Sequence, residues 1–151
     1  MEGISVGAAM PDDLEALADL LAELFLLESD FSPDRAKQLV ALRHILDNPA
    51  LGRLFVLRAN GEVAGMANAL ITVSTAEGGP VLLLEDVILK RAYRGGGLGR
   101  RLVEHVLAWA AEAGMTRVTL LADQDNAAAL DFYRRLGFES SSMRVLRKPL
   151  A

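Results

Sequence analysis

The stretch that most limits what this chain can fold into runs from Val81 to Ala110. Its first part, Val81-Leu82-Leu83-Leu84-Glu85-Asp86-Val87-Ile88-Leu89, is short, branched and bounded by Gly78-Gly79-Pro80, so it reads as a buried strand. Its last part repeats Leu98, Leu102, Val103, Val106, Leu107 and Ala110 at helical spacing. Between them lies Tyr93-Arg94-Gly95-Gly96-Gly97-Leu98-Gly99-Arg100-Arg101, so the glycines occupy a strand-to-helix turn. Such a turn aims free main-chain N–H groups and the positive end of the helix dipole at one place. Glycine there permits φ > 0 and close approach of a ligand to the backbone.

Arg94, Arg100 and Arg101 flank the helix start, where the dipole disfavours a cation. An anion at the turn would reverse that penalty. The competing reading is a glycine-rich loop with three solvated arginines; the coincidence of strand, glycines, helix start and cations favours the anion. No Lys-Ser or Lys-Thr follows the glycines, as a P-loop would require. A dinucleotide fingerprint fails because Gly95-x-Gly97 meets Arg100 at its last place. The pattern that fits is R-x-x-G-x-G, read at Arg94, Gly97 and Gly99. After an apolar strand, it resembles the GNAT superfamily of N-acetyltransferases, whose loop holds the pyrophosphate of acetyl-CoA.

The rest of the chain supplies a scaffold. Ile4 to Ala9 reads as a first strand, and Pro11-Asp12-Asp13 opens a helix with Leu14, Leu17, Leu20, Leu21, Leu24 and Phe25 on its buried face. A second helix begins at Ser32-Pro33-Asp34, with Ser32 the expected N-cap, and ends at Asn48-Pro49. Arg53 to Arg58 and Glu62 to Val73 form a hairpin on Asn60-Gly61, and Gly78-Gly79-Pro80 turns the chain into the apolar strand. Beyond the long helix and its stop at Gly114 come a strand at 117–122, which makes a parallel crossover, and a short helix from Ala127 to Leu136. Phe138-Glu139-Ser140 and Met143-Arg144-Val145-Leu146-Arg147 read as a last pair of strands. The expectation is one domain over residues 1–151, of α/β (α+β) class. The GNAT resemblance covers essentially the whole chain. It implies a mixed, mostly antiparallel sheet of about seven strands, helices on both faces, and a parallel splay between the fourth and fifth strands.

Composition narrows the function. The net charge of −4 does not suit a broad nucleic-acid surface. With no cysteine, the chain has no disulfide, zinc–thiolate or cysteine nucleophile; His44 and His105 lack partners at metal spacing, so no metal is expected. The apolar run from Leu14 to Leu27 is broken by Glu15, Asp19 and Glu23, which argues against a membrane span. There is no signal-like start, and a cytoplasmic location is the expectation.

Asn126-Ala127-Ala128-Ala129-Leu130-Asp131-Phe132-Tyr133, closing on Leu136-Gly137-Phe138, is the second informative stretch. Asn126 and Tyr133 lie close to two helical turns apart and share a face. From the residues alone, Asn126 as a cap and Tyr133 as packing weigh more than two groups addressing one ligand. The pattern N-x-x-A-x-x-F-Y with G-F is, however, similar to the GNAT pattern after its fifth strand. That similarity implies that Asn126 contacts the cofactor arm and that Tyr133 lies near the thioester sulfur.

The implied chemistry is an amine attacking an acetyl carbonyl, with N–H donors for the oxyanion and a proton for the departing thiolate. Tyr133 can supply that proton. A base must deprotonate the amine, and Glu85 is the expected one, because a carboxylate inside a leucine run is costly unless it lines a cleft. Asp86 points to the other face of a regular strand, although a bulge would change which acid faces the cleft. The resemblance further assigns main-chain groups of Val87, Ile88 and Leu89 to the pantetheine arm. It gives the diphosphate to Arg94, Gly95, Gly96, Gly97, Leu98, Gly99, Arg100 and Arg101. Glu28 and Phe31, with Glu85 and Asp86, are candidates for the acceptor side, against a plain helix connection at Leu27 to Pro33. Leu84-Glu85-Asp86-Val87 looks like the equivalent stretch of diamine and other small-amine acetyltransferases. The expected partner is a small-molecule or peptide amine, and a homodimer is common among similar proteins. The rivals are a GNAT-like module that binds acetyl-CoA without turnover, and an ATP-phosphate enzyme built on the same glycines.

Overall fold

The computed structural model describes residues 3–28 and 32–151, which divide into two compact units, residues 1–121 and 122–151. The first unit is a five-stranded sheet in the order β1-β2-β3-β4-β5, with β1 at Ile4–Ala8, β2 at Gly52–Ala59, β3 at Glu62–Ser74, β4 at Gly79–Leu89 and β5 at Val118–Leu120. Helices α1 (Leu14–Leu27) and α2 (Arg35–Asp47) connect β1 to β2, and α3 (Leu98–Glu112) connects β4 to β5. The first four strands pair antiparallel and β5 pairs parallel to β4. The second unit carries α4 (Ala127–Arg135). Among the described residues no helix is long and apolar enough to cross a membrane.

Strand alternation distributes the core. Leu54 and Val56 of β2 join Met66 and Ile88 in a cluster with Leu14, Leu17, Leu20, Leu21 and Leu42 of the first two helices. Phe55, one residue out of phase, meets α3 instead: its ring stands edge-on to Trp109 at 5.3 Å and to His105 at 5.7 Å. Trp109 is therefore a packing residue, with the Arg53 guanidinium 5.1 Å from its ring centre. Asn60 and Gly61 both take positive φ, 51° and 85°, as a two-residue hairpin turn demands.

Asp13 is a charged side chain in this unit's core whose burial has a plain electrostatic cause. Its two carboxylate oxygens accept from Arg58 at 2.9 and 2.6 Å and one also accepts from the Met10 amide at 2.7 Å. The Arg58 hydrogen bond holds the Asp13 carboxyl below its ordinary value and ties the start of α1 to β2.

Two expectations need correction. Among the described residues the sheet has five strands, not about seven: residues 138–140 and 143–147 belong to no ladder, despite their local strand pattern. Strand composition does not make a strand until another backbone pairs with it. The cap of α2 is Asp34, not Ser32. Pro33 biases Ser32 towards extended backbone, and Asp34, with φ −146°, accepts from the Lys37 amide at 3.2 Å.

Candidate active site

Beyond the last β4–β5 pair, Leu84 with Leu120, β4 continues to Leu89 without β5 beside it. The two parallel strands thus part where the sequence led us to expect a splay. The chain then makes one 3₁₀ turn, Arg91–Tyr93, and enters the glycines. Gly95 and Gly97 sit at φ 84° and 81°, in the left-handed region that only glycine enters without strain. Gly97 is the N-cap of α3, and a Cβ built on Gly95, Gly96 or Gly97 would meet nothing within 4 Å. Their outer faces are open.

The amide hydrogen bonds make this turn a candidate binding site. Arg94 donates its backbone N–H to the Arg91 carbonyl at 3.2 Å, and Arg101 donates to that of Gly97 at 3.2 Å. Among the described residues, the amides of residues 95–100 between them have no protein acceptor. Unpaired N–H groups at the head of a fifteen-residue helix form a cradle for an anion. Of the arginines, none is held by the cradle itself. Arg94 donates its Nε–H to the Leu89 carbonyl at 2.9 Å and lies 3.7 Å from Glu23. Arg100 pairs with Glu104 one turn along, and Arg101 donates to the Ile4 carbonyl at 3.3 Å. These exposed pairs are weak enough to be exchanged for a diphosphate. Arg94 does occupy one of the main-chain groups assigned to the pantetheine arm, the Leu89 carbonyl; Val87 and Ile88 continue the strand before it.

The bulge raised as a possibility in β4 is present. Met66 pairs with Ile88 and Asn68 with Glu85, so Asp86 and Val87 together oppose Ala67. Asp86 takes φ 53° at this bulge, and with Asn60 it is one of two non-glycine residues at positive φ among the described residues. Asp86 accepts a hydrogen bond from Asn68 Nδ2 at 3.1 Å. Burial pushes the Asp86 carboxyl above its ordinary value, and the Asn68 hydrogen bond offsets part of that rise. Glu85, half-buried in the next position, has interactions of its own.

Sequence reasoning missed Asn68. It is 5% exposed, and its Oδ1 is buried without a hydrogen-bond partner among the described residues. A buried orphan acceptor costs about 1–3 kcal/mol, which a purely structural position has no reason to tolerate. Turning the amide over would present Oδ1 to a protonated Asp86, so the pair can serve both charge states of the carboxyl. The available signal was a lone amide in the apolar run Gly65-Met66-Ala67-Asn68-Ala69-Leu70.

In the second unit, Asn126 caps α4: its Oδ1 accepts from the Ala129 amide at 3.1 Å. Tyr133 lies between the edges of Phe132 and Phe138, at 5.0 and 5.6 Å. Burial pushes its phenol up to about 12, so it stays protonated where an exposed tyrosine ionises. Glu28 is half-buried, just past the end of α1, and Phe31 lies outside the described residues.

Comparison with known proteins decides what this arrangement belongs to. The family model described as Acetyltransferase (GNAT) family matches residues 14–138. The chain belongs to the GNAT family of acetyltransferases. It is 29% identical to streptothricin acetyltransferase of Streptomyces lavendulae, over 87% of this chain and 79% of that one. It is 30% identical to the N-alpha-acetyltransferase RimI of Mycobacterium tuberculosis, over 95% of this chain and 83% of the relative. The fold matches that of the aminoglycoside N-acetyltransferase AAC(6')-Iy in complex with CoA, with a TM-score of 0.82 at 20% identity, covering 98% and 95% of the two chains. As a GNAT enzyme the chain uses acetyl-CoA as acyl donor. Its own residues fit that molecule: six successive unpaired amides over an open turn suit a diphosphate.

Proposed function

We propose that this protein is an N-acetyltransferase in which a primary amine attacks the acetyl group directly, in a ternary complex and without a covalent enzyme intermediate. The observation that carries the reading is the set of unpartnered amides at residues 95–100, above glycines held at positive φ. Acetyl-CoA supplies an activated thioester; the chain binds, orients and moves protons. The amides of Gly95 to Arg100 hold the diphosphate, joined by Arg94, Arg100 and Arg101 once they leave their surface partners. Main-chain groups of Val87 and Ile88, on the part of β4 that β5 leaves bare, receive the pantetheine arm, with Leu89 after Arg94 releases it. Asn126 contacts the arm through its amide nitrogen, since its oxygen serves the cap.

For the base we assign Asp86 rather than Glu85. A general base works best with a pKa raised towards the working pH, and burial moves Asp86 in that direction. Asn68 occupies Oδ2, which leaves Oδ1 for the amine's proton. Glu85 then serves the acceptor's positive charge, with Glu28 and Phe31 on the same side of the reaction. Tyr133 donates its phenolic proton to the departing thiolate, a role that suits a phenol still protonated far above neutrality. The relatives are named for acetylating streptothricin and for N-alpha-acetylation, and an amine bearing positive charge is the acceptor class that fits these carboxylates. The protein works in the cytoplasm as a homodimer.

The test is thiol release from acetyl-CoA over a panel of polyamines, aminoglycosides, amino acids and peptide N-termini. Release with one class supports the reading. Tight acetyl-CoA binding with no release across the panel would favour a module that binds the coenzyme without turnover.

A further inference from the structure

Arg94 stands where two parts of the candidate coenzyme site meet. The bare amides begin at the next residue, Gly95, and β4 ends five residues before it, at Leu89. The direction of the Leu89 carbonyl follows from its peptide. Lys90 donates its N–H to the Ala64 carbonyl at 2.7 Å, on the side of β3. No peptide bond among the described residues is cis, and a trans peptide points its C=O opposite to its N–H. The Leu89 carbonyl therefore faces away from β3, on the side of β4 that β5 covers only as far as Leu84 with Leu120. A ligand with amide N–H groups lying along that bare side finds an acceptor there.

In this structure the acceptor is already taken. Arg94 donates its Nε–H to the Leu89 carbonyl at 2.9 Å, and its Nη2 lies 3.7 Å from Oε1 of Glu23 on α1. The guanidinium thus makes the hydrogen bond that an amide N–H of a bound arm would make, and a carboxylate from another element steadies it. Neither hold is strong: one partner is a neutral carbonyl, and the ion pair joins side chains that are 37% and 46% exposed. A diphosphate at residues 95–100 offers more. Its charged oxygens accept stronger hydrogen bonds than a carbonyl does, and the planar fork of a guanidinium can meet two of them at once. While its Nε–H serves Leu89, Arg94 cannot present that whole fork to the phosphates.

We propose that Arg94 is a latch coupling the two halves of the coenzyme: it plugs the arm's position at Leu89, Glu23 holds it there, and a bound diphosphate draws it away and opens that position. The latch rests on the acetyl-CoA reading of this site and adds an order to it, phosphates before arm. Coupling of this kind is reciprocal, so an arm seated at Leu89 also frees Arg94 for the phosphates.

The test separates the coenzyme into two probes and measures binding to the full chain by NMR titration, with no acetyl transfer required. ADP supplies the diphosphate. N-acetyl-β-alanylcysteamine supplies the two amides of the arm without the end that would collide with a phosphate. The fragment's Kd is measured with and without saturating ADP, for wild type, Arg94→Ala and Glu23→Gln. In wild type, ADP should tighten the fragment by about fivefold or more, the lower end of ordinary coupling between sites. Arg94→Ala should bind the fragment without ADP as tightly as ADP-loaded wild type does, and ADP should then add nothing. Glu23→Gln should tighten the fragment by about twofold without ADP, as loss of an exposed ion pair allows.

If ADP shifts the amide signals of residues 95–100 but leaves the fragment's Kd unchanged, the latch is overturned and the cradle stands. If ADP leaves those signals unmoved, both fall. Coupling that survives in Arg94→Ala would overturn the latch too, and so would a fragment that fails to bind ADP-loaded wild type, since the opened carbonyl would then receive nothing.

Discussion

The glycine turn and the β4 bulge both hold backbone at positive φ, and they put it to opposite uses. Gly95 and Gly97, at 84° and 81°, have no side chain, and the turn's product is a row of bare amides facing open space. Asp86, at 53°, keeps its side chain and holds it, half-buried, against Asn68. The first arrangement costs little in conformation, because glycine enters this region freely. The second stores strain and desolvation together: an L-residue held in the left-handed region costs about 1–2 kcal/mol, less for aspartate than for most. The lesson is that one part of the site is made by leaving atoms out, and tolerates no additions. The other is made by confining a carboxyl, and should become more stable when that carboxyl is neutralised.

The sharpest break of this comparison is Gly97→Asp. The Cβ is strained at φ 81° and the carboxylate repels a diphosphate, while charge-assisted hydrogen bonds worth about 1.5–3 kcal/mol each are lost. Acetyl-CoA affinity measured by calorimetry should fall by about a hundredfold or more. Retained affinity would move the diphosphate away from the turn.

Next in size is the contrast between the two β4 carboxylates. Asp86→Asn should lower kcat by about 10²–10⁴-fold with acetyl-CoA affinity kept, as expected for loss of a general base. Glu85→Gln should act chiefly on the acceptor's KM. Were Glu85→Gln the variant that loses kcat, and most at low pH, the base would be Glu85 and the bulge would serve only geometry.

Tyr133→Phe should reduce turnover by about 10²-fold, the lower end for a proton donor, and leave coenzyme binding nearly unchanged. With its phenol at about 12, wild type should show no loss of rate from Tyr133 ionisation at pH 10. Equal rates for the two proteins would reduce Tyr133 to packing between Phe132 and Phe138.

The smallest effect is on stability, and its sign separates the two regions. Asp86 has a folded pKa raised from 3.8, so between 3.8 and the folded value the native state binds more proton than the unfolded chain. Stability therefore falls as pH rises through that window, and the full penalty remains above it. Asp86→Asn removes the titration, and asparagine also suits positive φ. Its melting temperature should exceed that of wild type at neutral pH, with the gap closing towards pH 3.8. Gly97→Asp should show no such gain.

Much of this protein was legible from one dimension. The strand–glycine–helix succession is a local pattern, and so are the Asn60-Gly61 hairpin, the buried stripe of α1 and the left-handed stop at Gly114. Each depends on residues within one or two turns of each other, where propensity and periodicity act directly. The cap of α2 went to Asp34 rather than Ser32 because Pro33 divides the two, a local rule given too little weight.

What the tertiary structure alone decided is non-local. The bulge at Asp86 is a change of register between β3 and β4, from Met66 with Ile88 to Asn68 with Glu85, and so depends on a strand distant in sequence. No pattern within β4 encodes it, since period-two alternation gives Asp86 the face opposite Glu85. The Asn68–Asp86 hydrogen bond, the engagement of Arg94 with the Leu89 carbonyl, and the lack of any ladder at 143–147 likewise join or separate residues that only folding can position. Amino-acid order by itself determined the elements and the glycine turn; the pairing of distant backbones determined which carboxyl meets Asn68 and, among the described residues, which strand is left without a second neighbour.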